Sequence, residues 1–214
     1  MTIRRYFDSD ALTLSTEVLA CEPDEEAGRF RVTLAETLFH PQGGGQPSDT
    51  GRIGEARVLR VAADGEAVVH LVDRAVAPGE VEIEVDAGPR ALHARLHSAG
   101  HLIAYVGAAV GWRAVKGHHW PGEARVVFER DSADAELAAI EAQALANGVN
   151  AMIAAGLPRV LAEREGRRVI AYGEHDFSPC GGTHVAGTGE IGAVRITKVK
   201  EKKGQVSVQY EVAG

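Results

Sequence analysis

The chain has 214 residues, 45% hydrophobic and 25% charged, which suits one large domain or two small ones around an ordinary packed core. A net charge of −7 argues against sequence-blind binding to long nucleic acid, so DNA is not expected as a partner. No apolar run of about 18 residues and no apolar signal core occur, and only Cys21 and Cys180 are present, so a cytoplasmic protein with no membrane span and no disulfide scaffold is expected.

Residues 1 to 88 read as a small β-barrel-like domain. Short runs rich in Val and Leu (Leu12–Val18, Arg29–Leu34, Ala56–Val61, Ala67–Val72 and Val81–Val85) are separated by Pro23-Asp24, Asp64-Gly65 and Pro78-Gly79. Between the second and third runs lies Gln42-Gly43-Gly44-Gly45-Gln46-Pro47-Ser48-Asp49-Thr50-Gly51. Three consecutive glycines cost backbone entropy. The loop reads either as a wide turn or bulge, or as backbone N–H groups facing a ligand, with Gln46 and Asp49 adding polar contacts. It is no Walker loop, because no Lys-Ser or Lys-Thr follows.

Asp86-Ala87-Gly88-Pro89 marks the boundary, and residues 89–214 read as a second, α+β domain. Arg90–Val110 carries Leu92, Leu96, Ala99, Ile103 and Val106 at helical spacing. Arg125–Glu129 reads as a strand. Ser132-Ala133-Asp134 caps an Ala-rich helix running towards Ala155, and Gly156-Leu157-Pro158 stops it. Strands follow at Arg159–Ala162 and Arg167–Ala171, then a loop with Cys180 and His184. Strands Ile191–Val199 and Gln205–Val212 flank the turn Lys202-Lys203-Gly204. Helices packed on a mostly antiparallel sheet are expected.

His97 and His101 are four residues apart on the first helix of this domain, so both imidazoles share one face. Cys180 and His184 share that spacing, but Gly181 and Gly182 between them favour a tight loop that turns thiolate and imidazole to one point. Three His and one Cys form the borderline-soft set that zinc prefers. Such a site is structural if all four bind and catalytic if one position stays open. His93, His118, His119 and His175 have no spacing that joins them to this set; they read as surface or packing residues, with His118 and His119 candidates for the flank of a cleft.

His97-Ser98-Ala99-Gly100-His101 and Pro179-Cys180-Gly181-Gly182-Thr183-His184-Val185, preceded by Gly43-Gly44-Gly45-Gln46-Pro47-Ser48-Asp49-Thr50-Gly51, resemble the editing domain of alanyl-tRNA synthetase. More closely, they resemble its free-standing relatives, the AlaX-type trans-editing proteins of medium length. Val149-Asn150 and Glu190-Ile191-Gly192 also match, so the resemblance covers almost the whole chain. It implies hydrolysis of the ester joining a wrong amino acid, chiefly Ser and also Gly, to tRNA for alanine. It also implies Zn2+ at His97, His101, Cys180 and His184, and contact between Thr37 and the Ser hydroxyl. The chain departs from the pattern at His40, where relatives carry Tyr, and in its last strand, which has no Arg.

The chemistry of that reaction gives the other candidates their roles. Backbone N–H groups of Gly181, Gly182 or Gly43–Gly45 are candidate oxyanion donors. Thr37 or Gln46, left unpaired without a Ser hydroxyl, would let the site spare Ala. Candidate tRNA contacts are Arg4, Arg5, Lys116, Arg125, Arg195, Lys198, Lys200, Lys202 and Lys203. Two rival readings are a non-catalytic, zinc-containing RNA-binding module and a metallohydrolase of another aminoacyl ester. Monomer and dimer are both open.

Overall fold

Alternation of buried and exposed positions builds the first half of the chain. In the computed structural model, which describes residues 1–130 and 139–213, the strand Ala67–Val72 buries every second residue. The elements of this half are β1 (Ile3–Arg4), β2 (Thr13–Pro23), β3 (Phe30–Leu34), β4 (Glu36–Thr37), β5 (Gly51–Ile53), β6 (Ala56–Asp64), β7 (Ala67–Val72) and β8 (Gly79–Val85). β1 pairs in parallel with β4. The other six strands close on themselves in the order β2-β3-β7-β6-β5-β8, every ladder antiparallel. Closure leaves no unpaired strand edge. Val32, Leu34, Ile53, Val61, Val68 and Ile83 fill the interior with no exposed surface, each contributing about 1.5–3 kcal/mol by burial.

The second half contains α1 (Ala87–Ala108), β9 (Trp112–His118), β10 (Arg125–Arg130), α2 (Ala142–Ala154), β11 (Arg159–Arg164), β12 (Arg167–Tyr172), β13 (Ser178–Pro179), β14 (Val194–Lys202) and β15 (Gln205–Val212). One antiparallel sheet has the order β14-β15-β10-β9, and a second has β11-β12-β13. Leu102 and Ile103 of α1, Val149 of α2, Phe128 and Val208 share one buried core. A methyl group on Gly107 would overlap the Phe128 ring, so the helix lies close against β10 because that position has no side chain.

The chain divides into two compact units, Met1–Gly43 with Pro47–Ala91, and Gly44–Gln46 with Leu92–Gly214. The sequence boundary at residue 88 therefore differs in two ways. The helix begins at Ala87, and Gly44–Gln46 packs with the second unit. The proposed helix start at Ser132-Ala133-Asp134 lies outside the described residues. A continuous helix from there to Ala155 does not form: Glu141 is extended (φ −88°, ψ 122°), and α2 starts at Ala142. Among the described residues no helix is long and apolar enough to cross a membrane.

Candidate metal centre

Helix α1 presents His97 and His101 one turn apart, with ring centroids 5.4 Å apart and nearly parallel. The loop after β13 brings Cys180 and His184 to the same place. Cys180 Sγ lies 3.2 Å from His97 Nε2 and 3.5 Å from His184 Nε2, and His184 Nε2 lies 3.1 Å from His101 Nε2. All four ligand atoms lie within 4.8 Å of one another. Tetrahedral bonds of about 2.0–2.3 Å place ligand atoms about 3.4 Å apart, so these residues fit a zinc-sized ion with little movement.

Burial disfavours the charged forms of His101, His184 and Cys180. It pulls the His101 pKa down to about 4, with the Arg168 guanidinium adding to the effect. It lowers His184 further and raises the Cys180 thiol. The Gly182 N–H and the Arg168 guanidinium partly offset the rise at Cys180. Neutral imidazoles are what a metal needs, and a cation at their centre favours the thiolate.

Internal hydrogen bonds fix the ligands. His97 Nδ1–H donates to Gln46 Oε1 at 2.8 Å, which makes Nε2, 3.2 Å from Cys180 Sγ, the nitrogen that carries the lone pair. The same Oε1 accepts from Thr183 N–H (3.1 Å), and Gln46 Nε2 donates to Thr183 Oγ1 (2.9 Å). Ser98 Oγ accepts from Val185 N–H. Arg168 Nη1 donates to the carbonyls of Cys180 and Gly182, and Arg159 Nη1 to that of His184. A methyl group on Gly182 would overlap the His97 ring and Gln46 Oε1, so glycine lets the loop pass across the imidazole.

The sequence candidates sort accordingly. Gln46 is fully buried, with both Oε1 lone pairs engaged, so it orients His97 and Thr183; one Nε2 hydrogen remains uncommitted. Gly44 and Gly181 line a cleft beside the cluster, together with His101, Lys116, His119 and Cys180. Gly45 packs so tightly on the Gly117 backbone that no side chain fits, and its carbonyl accepts from His119 N–H. Gly43, Thr37 and Asp49 belong to the first unit. Asp49 is fully buried there, ion-paired with Arg90, and it accepts from His40 N–H; the carboxylate is spent on that unit rather than presented to a ligand. Thr37 Oγ1–H donates to His70 Nε2 and accepts from Phe39 N–H.

Residues 168–207 match the threonyl and alanyl tRNA synthetase second additional domain. The alanyl-tRNA editing protein Aarsd1 of Bos taurus is 31% identical over 95% of this chain and 52% of its own length. That of Danio rerio is 31% identical over 89% of this chain and 50% of its own. The alanine–tRNA ligase of Hyperthermus butylicus is 35% identical over 85% of this chain and 22% of its own. The chain is thus similar over most of its length to proteins named for alanyl-tRNA editing and to part of alanine–tRNA ligases. It spans about half the length of the editing proteins it matches.

Three site residues, Arg159, Arg168 and Gly100, escape sequence reasoning, and His119, a candidate for the flank of a cleft, does line one. Arg159 and Arg168 order the Cys180 loop from strands β11 and β12, and nothing in their spacing points to it. His119 lies against His97, with ring centroids 4.4 Å apart. Gly100 is bare because the His119 ring occupies the space above it. The glycine inside His-Ser-Ala-Gly-His was the one available signal, since glycine in a helix interior costs about 1 kcal/mol and calls for a packing reason.

Proposed function

We propose that this chain is a zinc-dependent hydrolase that removes a wrong amino acid, chiefly Ser and also Gly, from tRNA for alanine. The observation that carries the reading is the gathering of His97, His101, Cys180 and His184 beside an open cleft. Kinship with proteins named for alanyl-tRNA editing supplies the substrate class.

The four residues would hold zinc, which supplies Lewis acidity and an anchor for the aminoacyl group. Gln46 keeps the His97 tautomer whose Nε2 lone pair faces the other three residues. The Gly181 N–H, at the cleft, is the candidate donor to the developing oxyanion. Gly182 is weaker in that role, because its N–H favours the Cys180 thiolate. Thr37 would read the Ser hydroxyl only as an acceptor, because its own proton goes to His70. Lys116 at the cleft would meet a phosphate near the acceptor end.

Purified protein is given tRNA for alanine charged with Ser, Gly or Ala, and ester loss is followed with and without chelator and with Cys180→Ala. Ser is released, Ala is spared, and Cys180→Ala and chelation each slow release by at least about 100-fold. Zinc-loaded protein that leaves every ester intact overturns the reading.

A further inference from the structure

We infer that His119 is a further catalytic residue, holding the attacking water through its Nε2 in a tautomer fixed by Tyr210. This rests on the deacylase reading and adds a residue to it.

The ring sits in a built slot. Side chains on Gly100 or Gly117 would overlap it on two sides, and the His97 ring stacks on it at an interplanar angle of 22°. His119 is 5% exposed and lines the cleft beside Cys180 and His101. Its backbone N–H is tied to Gly45 O at 2.7 Å.

The tautomer follows from counting protons. Tyr210 Oη lies 2.9 Å from the Leu96 carbonyl and 2.7 Å from His119 Nδ1. A carbonyl only accepts, so the single phenolic proton goes to Leu96 O; otherwise two oxygens would face each other without one. His119 Nδ1 must then carry its own proton and donate to Tyr210 Oη. Nε2 is left with a lone pair on a ring that lines the cleft. A fixed acceptor at the cleft, next to the metal ligands, suits a water molecule.

In the reaction the water donates one hydrogen bond to Nε2 and directs an oxygen lone pair at the ester carbon. The water oxygen bonds to that carbon, the bond from carbon to ribose oxygen breaks, and the water proton ends on the ribose oxygen. The products are the free amino acid and tRNA, and His119 is unchanged.

Three variants of the zinc-loaded protein test this on Ser-charged tRNA for alanine, with zinc content and imidazole 15N shifts measured alongside. His119→Phe keeps the stacking and loses the acceptor; kcat falls about 100-fold, with KM within about 3-fold and zinc unchanged. His119→Gln restores an acceptor and recovers about 10-fold. The parent's 15N shifts show Nδ1 protonated and Nε2 bare, and Tyr210→Phe removes that preference. Parent-like kcat in His119→Phe overturns the inference, as does loss of zinc in step with activity, which would reduce His119 to a support for His97. A parent with Nε2 protonated also overturns it. An inactive parent fails the deacylase reading itself; an active parent with an unimpaired Phe variant fails only this role.

Discussion

Two buried histidines show how much a single side chain's partners decide. His97 turns its Nε2 towards Cys180 because its Nδ1–H donates to Gln46 Oε1. His70 is neutral because it is wholly buried, which pulls its pKa down to about 4, with the hydrogen bond to the Val32 carbonyl opposing this more weakly. The unfolded chain protonates that residue below about pH 6.5, and the folded chain only below about pH 4. Between those values the unfolded state binds more protons, so stability falls as pH drops through the window and is present in full above it. About 3 kcal/mol is expected to be lost from this group. Urea unfolding of the parent and of His70→Phe across pH 4–7 checks it: the variant's curve should be flatter by about that amount. Parallel curves would show that burial of His70 does not shift its titration. At this scale, the gathering of His97, His101, Cys180 and His184 was legible from their spacing on a helix face and around a tight Gly-Gly loop. His119 was legible only as a candidate for the flank of a cleft, since its neighbours Gly100, Gly117 and Tyr210 are joined to it only by tertiary packing. Gln46 was legible as important, but its partner lies 51 residues away, so its role was not.

Periodicity decides which elements can be read from sequence. β7 alternates cleanly, and its expected and observed bounds agree at Ala67–Val72. β9 was missed because it buries Trp112 and then exposes Arg113 to Lys116 in succession, which leaves no period to detect. β5 spans only three residues after the glycine loop. Register also does what sequence cannot. Lys198, Gln209, Arg125 and His118 stand in one row across β14, β15, β10 and β9, and Lys200, Ser207, Val127 and Lys116 in the next. Residues directly opposite one another share a face, so four basic residues scattered along the chain share one side of this sheet. Arg195 and Arg5 have acidic partners instead, Glu211 and Glu36. If this face carries tRNA phosphates, Lys200→Ala and Lys116→Ala should each raise KM and leave kcat within about 3-fold. Each should also reduce the slope of log affinity against log salt by about 0.7–0.9. Unchanged salt slopes in both variants would move the tRNA surface elsewhere.

On the scale of the whole chain, the ligand set ties together segments far apart in sequence. His97 and Cys180 are 83 residues apart, and each partner pair is only a local turn or loop without the fold. An unfolded chain therefore has no preformed site, and whatever free energy zinc binding supplies is available to the folded state alone. Linkage then sets the magnitude: at a free metal concentration 100 times the dissociation constant, the folded state gains about 2.7 kcal/mol. For a chain of this size each kcal/mol moves the midpoint by about 2–4 °C, so chelation should lower the melting temperature by about 5–10 °C. Calorimetry with and without chelator, repeated on Cys180→Ser, measures this. The parent should lose the expected shift and regain it when zinc is returned, while the variant's shift should be much smaller. An equal chelator effect in parent and variant would mean that the ion binds at some other set of residues, and the four-residue centre would have to be abandoned.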